Sequence, residues 1–230
     1  MKPLVAVLPP LLIPSPIMWP LAARLRWAGF RPRVFRYRSH RRDIPQNAAR
    51  LAAWLRGLKA EEPVHVVAFS LGSILLRWVA NHHDIPPLGR VVMMGPPNHG
   101  AYMADWLDER LGPFYPVIYG KCARQLRRGD RGLAARAGTL PDDAQLGIIA
   151  GGLGRPRGYN PLIPGDNDMT VAVEETLLPG MRDFTLVPRP HTALVLSGKP
   201  AALAVNFLKT GRFRRRAVPA EALRAEPAPA

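Results

Sequence analysis

Cysteine is nearly missing from this chain: Cys122 is the only one among 230 residues. A single thiol excludes an internal disulfide framework and every multi-cysteine zinc or iron–sulfur site. Acidic residues are scarce too, with 17 Asp and Glu against 32 Lys and Arg, a net charge of +15 and a pI near 11.2. Of the basic residues 27 are Arg, clustered at Arg24 to Arg42 and again at Arg212 to Arg216. That excess fits an anionic partner, or else a compositional bias of the source. There is no internal repeat. An uninterrupted apolar helix is also lacking. Residues 3–23 carry no charge, but Pro3, Pro9, Pro10, Pro14, Pro16 and Pro20 break any spanning helix. The positive charge follows this stretch instead of preceding it, the wrong bias for an exported segment. A cytoplasmic chain, peripheral to a membrane at most, is expected.

What is present is globular. Hydrophobic content of 47% with 21% charged residues suits a core that needs no staple. Short apolar runs at Leu4 to Leu8, Val64 to Phe69, Val91 to Met94, Leu146 to Ala150 and Phe184 to Val187 read as buried strands. Val34 to Tyr37 alternates as a further strand. Helical spacing appears at Met18 to Ala28, Ala48 to Leu58, Ser73 to His82 and Ala201 to Leu208. This alternation predicts an α/β fold with a mainly parallel sheet flanked by helices. Residues 101–145 lose the strand signal and read as a small helical cap insertion within a domain spanning 1–213. Residues 214–230, rich in Ala and Pro without apolar periodicity, read as a disordered tail.

The chemistry gathers where the third strand ends. Val64-His65-Val66-Val67-Ala68-Phe69-Ser70-Leu71-Gly72-Ser73 is a strand running into a helix with serine at the joint. A nucleophile elbow needs this arrangement: a strained serine above the sheet, with small residues two before and two after. Ala68 and Gly72 satisfy that demand, although Gly is usual at both places.

The sequence resembles the α/β-hydrolases, in particular small bacterial lipases and esterases, over most of residues 4–210. Besides the elbow, the strand and loop Val91-Val92-Met93-Met94-Gly95-Pro96-Pro97-Asn98-His99-Gly100 is similar to a T-P-x-x-G segment of those lipases, with Pro96 in place of Thr. Gly165-Asp166-Asn167-Asp168-Met169-Thr170-Val171 is similar to their N-D-G-x-V segment. The resemblance implies an α/β-hydrolase fold and a triad of Ser70 as nucleophile, His191 as base and Asp168 as acid, in the chain order of that fold. Asp166 remains the alternative acid. The oxyanion donors would be the N–H groups of Leu71 and, by position, Leu11. The family's usual His-Gly is replaced by Pro9-Pro10, which have no N–H, so a catalytically impaired binding protein of the same fold stays open.

The remaining histidines read structurally. His65 lies in a strand, His82 and His83 close a helix, and His40 sits among arginines. His99 is the one rival base, but it precedes the acid in the chain. No metal site and no cofactor are expected, and Gly151-Gly152-Leu153-Gly154 lacks phosphate-cradle spacing and reads as a turn. The resemblance implies a small-molecule ester or lipid substrate. The Arg24 to Arg42 cluster suits an anionic membrane surface better than nucleic acid, and oligomeric state is not legible.

Overall fold

The computed structural model describes residues 2–213, so the tail reading for 214–230 lies outside the described residues. Six strands form one sheet: β1 (Leu4–Leu8), β2 (Arg31–Val34), β3 (Val64–Phe69), β4 (Leu88–Met94), β5 (Gln145–Gly151) and β6 (Met181–Val187). All pairings are parallel, in the order β2-β1-β3-β4-β5-β6. The helices are α1 (Trp19–Trp27), α2 (Ile44–Gly57), α3 (Leu71–His82), α4 (Tyr102–Leu111), α5 (Tyr115–Tyr119), α6 (Lys121–Arg124), α7 (Ala193–Leu196) and α8 (Gly198–Thr210).

Strand periodicity divides the core into two layers. Ala6, Leu8, Val66, Val91 and Ile148 face α2 and α3, while Val5, Val7, Val67, Val92 and Ile149 face α1 and α8. Successive side chains of a strand point to opposite faces, so a sheet covered on both sides reads as continuous apolar runs. Residues 101–144 contribute Ala104, Tyr115, Cys122 and Leu133 to the α2–α3 layer.

The second strand differs from the sequence expectation. It spans Arg31–Val34 instead of Val34 to Tyr37. Pro32 is tolerated because β2 is an edge strand: Arg31 N–H bonds Pro3 O, just before β1, so the next residue, Pro32, faces the open side, where no donor is needed. Phe35 N–H still reaches Val7 O at 3.0 Å before the chain leaves the sheet. Asp43 then starts α2 with a capping box, accepting from Gln46 N–H at 2.8 Å while Asp43 N–H donates to Gln46 Oε1 at 3.3 Å.

The chain moves from β1 outward to β2, then returns past β1 to place β3. Its direction of winding therefore reverses between β1 and β3. Such a switch point opens a crevice at the carboxyl ends of the strands. The loops that leave there are Pro9 to Ile13 and the Ser70 junction.

Candidate active site

Ser70 joins β3 directly to α3 with φ 52° and ψ −121°, a conformation that L-residues adopt only under strain. Its N–H bonds Met94 O on β4 at 2.9 Å, and its carbonyl accepts from Ser73 N–H at 2.9 Å. The strain is thus held from both sides. Gly72 explains why a small residue follows: a Cβ there would lie 2.8 Å from Leu8 O and 2.9 Å from Pro9 O. The first turn of α3 is pressed against the end of β1. Ala68, where the pattern usually has Gly, is fully buried.

His191 follows β6 and Asp168 lies on the loop between β5 and β6, so with Ser70 they stand on three loops at one end of the sheet. His191 Nδ1 is 2.6 Å from Asp168 Oδ2, and His191 N–H donates to Asp168 O at 2.7 Å. Asp168 is fully buried, and its Oδ1 accepts from Thr170 N–H at 3.0 Å and Val171 N–H at 2.8 Å. In the tautomer that donates Nδ1–H to the carboxylate, Nε2 keeps its lone pair. The imidazole packs on Phe69, the residue before Ser70, with ring centroids 4.8 Å apart. Gly95, at φ +53°, also makes room for it: a Cβ would lie 3.0 Å from the ring. Since Ser70 N–H bonds Met94 O, the histidine ring and the serine share the same few residues of β3 and β4.

Asp166 is brought to a different place. Its two oxygens accept from Leu153 N–H and Gly154 N–H, each at 2.8 Å. The glycine-rich turn after β5 is therefore an anion cradle filled by the protein's own carboxylate. Asn167, between the two acids, is fully buried and ties the loop together. Its Nδ2 donates to Asn160 O at 3.0 Å and Gly165 O at 3.1 Å, and its Oδ1 accepts from Asn160 N–H at 2.9 Å. Three consecutive polar side chains thus serve three separate partners.

The loop after β1 is fixed by residues that no sequence motif singled out. Tyr37 Oη lies 3.0 Å from both Pro9 O and Pro10 O, sharing its hydrogen between them. Burial raises the Tyr37 phenol well above its usual pKa, with Cys122 adding to the effect, so the group remains a donor. Ser39 Oγ accepts from Leu12 N–H at 2.9 Å, and Leu12 is held at φ 61°. Leu11, between these anchors, keeps its N–H, and Leu71, as the first residue of α3, has an N–H without an intrahelical acceptor. Of four non-glycine residues at positive φ among the described residues, three (Leu12, Ser70 and Met169) lie on these loops.

The other candidates take structural parts. His99 is exposed, and its N–H donates to Glu175 O at 3.2 Å, away from Asp168. His65 Nδ1 accepts from Arg90 N–H at 2.9 Å, and burial lowers its pKa. His82 stacks on Trp78, and His40 Nε2 donates to Val117 O at 2.8 Å. Among the described residues no cluster of three or more His, Cys, Asp or Glu could hold a metal ion. The buried Cys122 is pushed up to about 12 by burial and donates to Arg42 O at 3.0 Å, the role of a packed thiol. No helix among the described residues is long and apolar enough to cross a membrane.

No protein-family model matches the chain, and no curated protein sequence does. Solved structures do. A lipase, BlEst2, from Bacillus licheniformis aligns with TM-score 0.73 and 20% identity, covering 91% of this chain and 92% of that one. The metagenomic carboxyl esterase MGS0156 aligns at TM-score 0.67 and 16% identity over 84% of this chain and 66% of its own. Phospholipase PlaB from Legionella pneumophila aligns at TM-score 0.62 and 14% identity over 92% of this chain and 57% of its own. The chain has the α/β-hydrolase fold, the fold of these lipases and esterases.

Proposed function

We propose that this protein is a serine hydrolase of carboxylic esters, with Ser70 as nucleophile, His191 as base and Asp168 as the acid that orients it. The observation that carries the reading is the strained Ser70 at the β3–α3 joint, in the same loop cluster as a histidine whose Nδ1 is 2.6 Å from a fully buried carboxylate. In the reaction Ser70 Oγ attacks the ester carbonyl carbon and its proton passes to His191 Nε2. The carbonyl oxygen becomes negative and is met by the N–H groups of Leu71 and Leu11. Collapse breaks the bond to the alcohol, which leaves with the proton from His191 and an acylated Ser70 behind it. Water then adds to the acyl carbon, giving a proton to His191. The Ser70–acyl bond breaks, His191 returns the proton to Ser70, and the free acid departs.

The lipase, phospholipase and carboxyl esterase that align with the chain support esters over other substrates. Exposed Leu12, Ile13 and Met169 on the loops beside the site favour an apolar acyl chain. Purified protein is expected to hydrolyse short and medium acyl esters, and Ser70→Ala to abolish it. Equal rates in wild type and Ser70→Ala, with both folded, would refute the reading.

A second property is favoured by one surface. Arg26, Arg31, Arg33 and Arg36 line a groove of about 820 Å³ at the open edge of the sheet with Trp19 and Trp27. Trp27 is 83% exposed, and no acidic residue occurs before Asp43. Guanidinium groups beside interfacial tryptophans suit an anionic lipid surface. Cosedimentation with phosphatidylglycerol vesicles that weakens with salt is expected. Binding to pure phosphatidylcholine vesicles of equal strength would count against it.

A further inference from the structure

A second groove, of about 470 Å³, lies beside the site and has two unlike walls. One wall is Pro9, Pro10, Leu12 and Ile13; the other carries Arg38 and Arg41. It borders the nucleophile turn, because Pro9 O comes within 2.9 Å of where a Cβ on Gly72 would stand. Among the described residues no acidic residue lines it and neither arginine is within 4.0 Å of a carboxylate.

The arginine wall is built, not merely exposed. The backbone of residues 38–42 is clamped from below: Asn47 Nδ2 donates to Arg42 O at 3.1 Å, Cys122 Sγ donates to the same oxygen at 3.0 Å, and Lys121 N–H donates to His40 O at 3.1 Å. Gly120 lies so close that a Cβ would fall 2.3 Å from His40 Cα. Ser39, buried at the centre of the segment, also accepts the Leu12 N–H that shapes the opposite wall. Both walls are therefore set by one hydrogen-bond system, which fixes the backbone that carries Arg38 and Arg41 beside the apolar wall.

We infer that this groove is a subsite for a phosphate carried on the alcohol part of the ester, held by Arg38 and Arg41 while the apolar wall takes the adjoining carbon skeleton. Two unpaired guanidinium groups match a group bearing more than one negative charge and several acceptor oxygens. The inference rests on the serine-hydrolase reading for its substrate, but the subsite itself is testable without turnover.

Two soluble esters that differ only in the phosphate separate the possibilities: butyryl glycerol and butyryl glycerol 3-phosphate. Wild type is expected to favour the phosphorylated ester by about tenfold or more in kcat/KM. Arg38→Gln/Arg41→Gln should remove that preference through KM and leave the neutral ester unchanged. Arg31→Gln/Arg33→Gln, on the sheet edge, removes the same charge elsewhere and should keep the preference. Calorimetric titration with glycerol 3-phosphate reads the subsite alone, with binding expected in wild type and lost in Arg38→Gln/Arg41→Gln. If no ester is cut yet glycerol 3-phosphate binds in this pattern, the subsite stands and the hydrolase reading falls. Equal kcat/KM for the two esters, or a preference that survives loss of Arg38 and Arg41 or disappears with Arg31 and Arg33, would overturn the proposal. So would absence of glycerol 3-phosphate binding.

Discussion

Asp168 and His191 are joined twice, through Oδ2 and Nδ1 at 2.6 Å and through the Asp168 carbonyl and the His191 N–H at 2.7 Å. The side-chain bond sets the tautomer, and the backbone bond sets where the ring can stand. Replacing the acid by an amide keeps the second link and corrupts the first. Asp168→Asn is therefore expected to fold with near-normal stability and to lose about 10³- to 10⁴-fold in kcat, because an amide can present a donor to Nδ1 and reverse the tautomer. Steady-state kinetics beside a thermal melt check this. A loss below tenfold would mean that Asp168 is not the acid.

Asp166→Asn should behave in the opposite sense. Its carboxylate serves the Leu153 and Gly154 amides, so an amide side chain leaves one donor facing another at a site partly open to solvent. A destabilisation of about 0.5–1.5 kcal/mol is expected with a much smaller effect on kcat. Chemical denaturation and initial rates on the same preparation give both numbers. A collapse in kcat with unchanged stability would exchange the parts given to the two acids.

Tyr37→Phe tests how the loop after β1 is aimed. Removing the hydroxyl frees the Pro9 and Pro10 carbonyls, at about 1 kcal/mol of stability. If Leu11 N–H is an oxyanion donor, kcat should also drop, up to the 100- to 1000-fold expected for losing such a donor outright, while KM changes little. An unchanged kcat would remove Leu11 from the mechanism and point to another donor.

Glu175 gives stability a pH dependence. It is buried, its oxygens accept from Tyr102 N–H at 2.6 Å and Ala172 N–H at 2.9 Å, and burial pushes it up to about 7 from an ordinary 4.5. Between those values the folded chain keeps a proton that the unfolded chain has lost. Its contribution is full below about pH 4.5 and falls away as pH rises through about 7, by about 3 kcal/mol in all. Urea unfolding at about pH 4.5 and about pH 8 should show this fall in wild type and a smaller one in Glu175→Gln. Equal slopes would place the pH dependence elsewhere.

Much of this was legible in the sequence because strands buried on both faces announce themselves as apolar runs. β1, β3 and β5 fall where Val, Ile and Leu accumulate. β4 and β6 contain their expected runs but begin three residues earlier, and β2 moved off its run, since Pro32 argues against a strand until the edge position is known. Ser70 was legible from its neighbours, Ala68 and Gly72, whose small size answers a local steric demand. The contacts of Tyr37, Ser39, Asn167 and Glu175 were not. Each acts across 27, 7 or 73 residues on a backbone group, and a hydrogen bond to a backbone carbonyl or amide leaves no trace in the identity of the residue that supplies it. Arg77 belongs with them. Its buried guanidinium donates to Gly138 O at 2.6 Å and Asn98 O at 2.8 Å, and burial lowers it to about 10. Nothing in its helix distinguishes it from an exposed arginine.

The central claim is that Ser70 is a nucleophile activated by His191, and covalent labelling with a fluorophosphonate tests it without any choice of ester. Wild type should be labelled at Ser70, and both Ser70→Ala and His191→Ala, shown to be folded, should lose the label. Labelling that persists in Ser70→Ala, or folded wild type that takes no label, would contradict the account.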